Sequence, residues 1–215
     1  MNRKLFLLLL VTFAFSCKEG KKYHDEIGSA VNTNSKLLND ILEFQKELNA
    51  SYKNPETSPL PDRYRAKFES LDFFEADTNY IVEANLELTP DSKSFMMPTT
   101  TERKSLERVY GIASFVLNGK RFQLEIYQDL DLMEDDGFED YLFLPFLDET
   151  NGNETYGGGR YIDLRIPEGN TLVIDFNRAY NPYCVYNKKY SCPLVPRQNY
   201  LTTKVMAGVR DFKKE

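Results

Sequence analysis

Between residues 35 and 49 apolar side chains return every three or four positions, as Leu37, Ile41, Phe44 and Leu48, supported by Leu38 and Leu42. That spacing predicts an amphipathic helix with Ser35 as its N-cap and Asn49 or Ala50 near its end. Asn54-Pro55 and Ser58-Pro59-Leu60-Pro61 then break the chain, and a second short helix is expected over 62–70. From Tyr80 onward the period changes to two. The clearest pattern is the pair of runs 109–117 and 120–128 around Asn118-Gly119. Asn-Gly favours a two-residue type I′ hairpin, which places Phe115 opposite Phe122, Ala113 opposite Leu124 and Gly111 opposite Ile126. Further strands are expected over 80–88, 141–144, 160–166, 172–177 and 201–207. Ile162, Leu164 and Ile166 should point inward, with Leu172, Ile174 and Phe176 facing them across a short connection at 167–170. There is no βαβ alternation and no internal repeat. The fold class is mainly β, an antiparallel β-barrel or sandwich preceded by one or two N-terminal helices.

The first residues read as an address. Arg3 and Lys4 precede an apolar run from Leu5 to Ala14, about ten residues and far short of the roughly 20 that span a bilayer. The run Ala14-Phe15-Ser16-Cys17 resembles a bacterial lipobox, in which the Cys is acylated and becomes the first residue after cleavage. Residues 1–16 are thus expected to be a signal peptide, 17–34 a lipidated flexible tether beginning at Cys17, and 35–215 a single domain. Within that domain, helices occupy 35–70 and the β portion 71–215. Cleavage removes two basic residues and no acidic one, taking the formal charge from −6 to −8. Lys18 does not resemble the Asp that retains lipoproteins at an inner membrane, so the expected location is the cell envelope, at an outer membrane where the cell has one. The membrane, through the lipid anchor, is the first expected partner.

An apolar content of 41% with 28% charged residues suits a water-soluble globular domain. The acidic balance argues against nucleic acid as a partner, because phosphate neutralisation needs a basic surface. The single His, His24, falls in the tether, which disfavours His-based zinc sites and His-dependent catalysis. The acidic run from Asp129 to Asp140 lacks EF-hand spacing, since Met133 stands where an oxygen ligand belongs, and reads as a solvated hairpin loop. No metal or cofactor is expected.

The polar residues of the C-terminal half carry the candidate chemistry. Asp175, Asn177, Arg178, Tyr180 and Asn181 follow a strand into a loop, and Arg160 would join them if its strand pairs with theirs. Two guanidinium groups could then fork onto a small anionic ligand or a loop of an envelope protein, with the Asn and Tyr side chains orienting it. Two alternatives stand beside this binding role. One is a His-independent, hydrolase-like enzyme using Glu154, Tyr156, Asp175 and Arg178; the other is a polar network that only holds the fold. Gly157-Gly158-Gly159 suits a crowded turn better than a phosphate loop, lacking the Lys-Ser/Thr ending. Cys184 and Cys192, with seven residues between them, suggest a disulfide outside the cytoplasm, with structural thiols or a reactive thiol as the other readings.

The segments Leu142-Phe143-Leu144-Pro145-Phe146, Glu154-Thr155-Tyr156-Gly157-Gly158-Gly159-Arg160-Tyr161, Asp175-Phe176-Asn177-Arg178-Ala179-Tyr180-Asn181-Pro182-Tyr183-Cys184 and Ser191-Cys192-Pro193-Leu194 together resemble domain of unknown function 1684, a bacterial and archaeal family. The resemblance runs from about Leu37 to Phe212, with Ser58-Pro59-Leu60 fitting its amino-terminal part. It implies no established activity. It does imply that the polar residues between Glu154 and Cys192 are the region to interrogate, and that members without export signals carry the same cysteine pair.

Overall fold

The computed structural model describes residues 25–212, so the segment expected to be a signal peptide, Cys17 and His24 lie outside the described residues. The helix α1 spans Asp25–Lys53, starting ten residues before Ser35 and running past Ala50. Its N-terminal part falls inside the stretch expected to be a tether, which contains no proline to stop a helix from propagating backward. Ile41 and Tyr52 are fully buried and Phe44 and Leu48 half-buried, whereas Leu42 is exposed. After the Asn54-Pro55 break comes α2, a single turn at Asp62–Arg65, shorter than expected because after Ala66 the N–H groups of Lys67 and Phe68 turn to the carbonyls three residues back and the α-helical ladder stops.

Eight strands follow: β1 Ile81–Leu88, β2 Phe95–Pro98, β3 Lys104–Leu117, β4 Lys120–Asp129, β5 Tyr141–Asp148, β6 Arg160–Arg165, β7 Thr171–Asp175 and β8 Tyr200–Leu201. They form one sheet in the order β6-β5-β4-β3-β1-β7, with β2 added to β3 and β8 parallel to β5. The result is a mainly antiparallel half-barrel preceded by a helix, with one curved sheet where a barrel or sandwich was expected. Asn118 and Gly119 both take positive φ, 51° and 74°, as a type I′ turn requires. Phe115 faces Phe122, Ala113 faces Leu124 and Gly111 faces Ile126, as the alternation predicts.

One pairing differs from expectation. β6 and β7, though consecutive, do not form a hairpin: β6 pairs with β5 at one edge of the sheet and β7 with β1 at the other. Their apolar residues still meet in one core, because the sheet curls until its two edges share a filling. Leu142, Leu144, Ile162, Leu172, Ile174 and Phe176 all belong to it. The expected strand over 201–207 shrinks to two residues, and the segment from Val205 to Val209 instead lies as a strap whose Val205 and Ala207 are buried in that core.

Arg160 holds the strap. Its side chain is fully buried, pairs with Asp148 Oδ2 at 2.9 Å and donates to the carbonyls of Val205 at 2.9 Å, Ala207, and Val209 at 3.3 Å. Asp148 Oδ1 in turn accepts the backbone N–H of Thr150 at 2.8 Å and of Val205 at 3.2 Å. Desolvation pulls the Arg160 pKa down and the Asp148 charge opposes it. Removing one partner of a buried ion pair leaves the other uncompensated, at a cost of about 3–5 kcal/mol. Arg160→Ala is therefore expected to lose that much in urea unfolding. A loss below about 1 kcal/mol would mean that apolar packing alone holds the strap.

Candidate functional site

The residues expected to form an anion site are not brought together around a cavity. Arg160 is sealed under the strap, since β6 and β7 do not pair. Asn177 is buried and uses its amide as a clasp: Nδ2 donates to the Asp77 carbonyl at 2.9 Å and Oδ1 accepts the Asp77 N–H at 3.0 Å. Asp175 Oδ1 accepts the Asn177 N–H at 2.9 Å. Arg178 lies 3.6 Å from Asp175 and stacks over Phe44 of α1, 5.1 Å from the ring centre. Asn181 is buried and donates to the Arg210 carbonyl at 2.8 Å. Glu154 is held by Lys204 at 2.6 Å, which lowers its pKa, and Tyr156 packs in the cluster around Tyr52 and Tyr186.

Tyr180 is the exception. Its ring lines a cavity of about 210 Å³ on the outer face of the sheet, together with Phe143, Tyr161, Tyr141, Pro193, Arg103 and Leu132. Tyr141 and Tyr180 both donate their hydroxyls to Asp163 Oδ1, at 2.8 and 2.6 Å, and Tyr161 donates to the Pro193 carbonyl. Burial pushes the hydroxyl pKa values of all three upward.

The chemistry of this cavity comes from β3 and β4. Gly111, Ala113 and Phe115 face the core, and a regular strand would send Val109, Glu107 and Ser105 there too. A bulge between Val109 and Gly111 inserts one extra residue and reverses the faces, so that Val109 pairs with Tyr127 and Glu107 with Asp129 on the outer side. Glu107 is only 1% exposed, its Oε2 has no hydrogen-bond partner, and it lies directly opposite a second carboxylate. Ser105 Oγ sits between them, 2.8 Å from Glu107 Oε1 and 2.9 Å from Asp129 Oδ2. A hydroxyl has one proton to donate, so Ser105 cannot fully serve both carboxyl groups at once. Asp129 Oδ1 already accepts two backbone N–H groups, from Asp131 at 3.0 Å and Leu132 at 2.9 Å. Glu107 has no such donors, and burial, reinforced by Asp129, pushes its pKa up to about 7 against the opposing pull of Ser105. Ser105 thus bridges the two carboxyl groups, and Glu107 is the one that keeps a proton to near neutrality.

Sequence reasoning missed Ser105, Glu107, Asp129, Tyr141 and Asp163. One signal was present: a Glu in phase with the core-facing residues of a strand marks either a buried acid or a bulge. A larger groove of about 1160 Å³ runs over β1, β3 and β4 past Asn85, Ser114, Arg121 and Gln123. None of the buried side-chain atoms lacking a partner belongs to its lining. Neither it nor the smaller cavity is lined by Glu154, Tyr156, Asp175 or Arg178. The cysteines, expected as a disulfide, are adjacent free thiols, with the Cys184 N–H donating to Cys192 Sγ at 3.2 Å. Among the described residues no cluster of three or more His, Cys, Asp or Glu could hold a metal ion.

Residues 66–210 match the family described as protein of unknown function (DUF1684). The chain belongs to that family. The match begins later than the expected resemblance from Leu37, leaving α1 and α2 outside it. A solved relative is the uncharacterized protein from gene locus rrnAC0354 of Haloarcula marismortui, whose solution NMR structure is 31% identical over 86% of this chain and 97% of its own, with a TM-score of 0.63. No curated protein matches this DUF1684 member.

Glu107 ties stability to pH. The unfolded chain releases this proton near 4.5 and the folded chain near 7. Between those values the native state retains a proton that the unfolded state has lost, so stability falls as pH rises, by about 3 kcal/mol in all. Glu107→Gln is expected to remove that slope and to be more stable than the parent above pH 7, as read from urea midpoints between pH 4 and 8. Parallel profiles for the two proteins would contradict the buried acid.

Proposed function

We propose that this DUF1684 protein is a lipid-anchored binding domain of the cell envelope, held by Cys17, whose outer-face cavity takes a small organic amine. The observation that carries the reading is Glu107, a buried carboxyl with a free oxygen in a cavity walled by aromatic rings. Buried polar atoms are normally satisfied, and one left open beside a cavity suits a group supplied from outside. The surrounding charges favour a donor. Asp129 and Asp163 stand nearby, and Arg103 is already occupied by the Ser191 carbonyl at 3.0 Å. An ammonium group would be held by ionised Glu107 and by the faces of Phe143 and Tyr161. The small volume, below the roughly 300–1,000 Å³ of drug-sized sites, limits the ligand to a short amine. The guanidinium groups that favour an anion on sequence grounds are engaged with Asp148, Asp175 and Phe44, which turns the reading from anion to cation.

Calorimetric titration of the full-length chain carrying Cys17→Ser, with ethanolamine, butylamine and acetate as probes, tests this. Amines are expected to bind roughly tenfold more tightly at pH 8 than at pH 6, because below about 7 the acid must first give up its proton. Glu107→Gln should weaken them by at least about tenfold, the worth of a charge-assisted hydrogen bond. Acetate binding in place of the amines would restore the anion reading. Heat signals from none of them at millimolar concentration would remove the small-amine proposal. Loss of labelling by a fatty-acid analogue in Cys17→Ser would support the anchor.

A further inference from the structure

Cys184 and Cys192 stand apart from Glu107 and its neighbours. Cys184, on the short helix α3 (Tyr183–Tyr186), is partly open to solvent. Cys192 is 6% exposed and packs with Met97, Phe143 and Tyr161. The two cysteines are in contact: Cys192 Sγ accepts the Cys184 N–H at 3.2 Å. Thr100 clamps the buried one from both sides, its N–H donating to the Cys192 carbonyl at 2.9 Å and its Oγ1 accepting the Cys192 N–H at 3.1 Å. The loop between the cysteines exposes Lys188 and Lys189. The pair is therefore a partly exposed cysteine beside a buried one, with two exposed lysines in the loop that joins them.

We propose that Cys184 and Cys192 form a thiol–disulfide exchange site for small anionic disulfides, with Cys184 as the attacking thiol and Cys192 as the resolving one. The Cys184 thiolate attacks one sulfur of the small disulfide, the S–S bond breaks, and one small thiolate leaves. Cys192 then gives up its proton and attacks Cys184 in the mixed disulfide, expelling the second small thiol. The protein loses two protons and two electrons, and one disulfide becomes two thiols. The division of labour follows from the contact between the two. Hydrogen bonding with the Cys192 side chain, helped by Thr100, brings the Cys184 pKa down to about 6, and the same contact with burial pushes Cys192 up. Closure would fix α3 to the residue before Pro193, whose carbonyl receives the Tyr161 hydroxyl in the cavity wall.

The test uses the reduced full-length Cys17→Ser chain, with glutathione disulfide at pH 7 as the probe and intact mass as the readout. The expected product has lost two hydrogens and retains no glutathione, and excess reduced glutathione reopens it. Cys192→Ser should accumulate a glutathione adduct on Cys184, whereas Cys184→Ser should react at least about tenfold more slowly. A serine variant with altered near-ultraviolet circular dichroism is replaced by pulse alkylation of the Cys17→Ser chain with iodoacetamide. Peptide mapping should then show Cys184 modified roughly tenfold faster than Cys192. Equal rates, modification of Cys192 first, or an oxidised form that reduced glutathione cannot reopen would each overturn the proposal, the last marking a structural disulfide.

Discussion

A guanidinium buried away from water governs how this domain closes. The half-barrel leaves its core open along one side, and covering that side with backbone would normally strand carbonyl groups in an apolar interior. Arg160 resolves both difficulties at once. Its donors satisfy three carbonyls of the strap, and Asp148 balances its charge. The strap then reaches the outer face. The Val209 N–H donates to the Ala179 carbonyl at 2.8 Å, and Tyr180 exchanges backbone hydrogen bonds with Tyr161 at 2.9 and 3.0 Å. Gly208 permits the approach: it has φ +78°, and a Cβ there would stand 2.6 Å from the Ala179 oxygen. The wall of the cavity on one side of the sheet is thus located by an ion pair on the other.

The outer-face cavity depends on a separate irregularity. Without the bulge beside Gly111, Glu107 would enter the apolar core and Ser105 with it. With the bulge they meet Asp129 beneath a roof of tyrosines. Like charges directly opposite each other destabilise a sheet. The proton that Glu107 keeps to near neutrality removes most of that repulsion, and Ser105 bridges the two groups. A strand irregularity, a serine and an aromatic enclosure together set the protonation state of one acid.

Local rules made part of this legible. The Asn118-Gly119 turn and its flanking alternation give the β3–β4 register from the sequence alone, because turn type and side-chain phase impose the same answer. The Leu37, Ile41, Phe44 stripe places the buried face of α1 for the same kind of reason. What could not be read was non-local. Nothing within 160–177 indicates that β6 and β7 go to opposite edges, since that depends on where β1 and β5 have already paired. The motif around Arg178 was chemically conspicuous, yet its side chains serve the fold: Asn177 clasps Asp77 and Arg178 covers Phe44. The acid lay just before the run read as a strand, and its phase left two readings open, a buried acid or a bulge, which composition does not separate.

The partners of Arg160 are spread along the chain in a way that sets an order of events. Asp148 is made before it, but the three carbonyls at 205–209 come forty and more residues later. During synthesis the β3, β4, β5 and β6 meander can assemble from neighbours in sequence, while the inner face it presents still contains a charge with most of its acceptors missing. Such a face resists burial. The growing chain therefore lacks a finished core until the strap arrives, and settling into the native state is a late, all-at-once event in the life of each molecule.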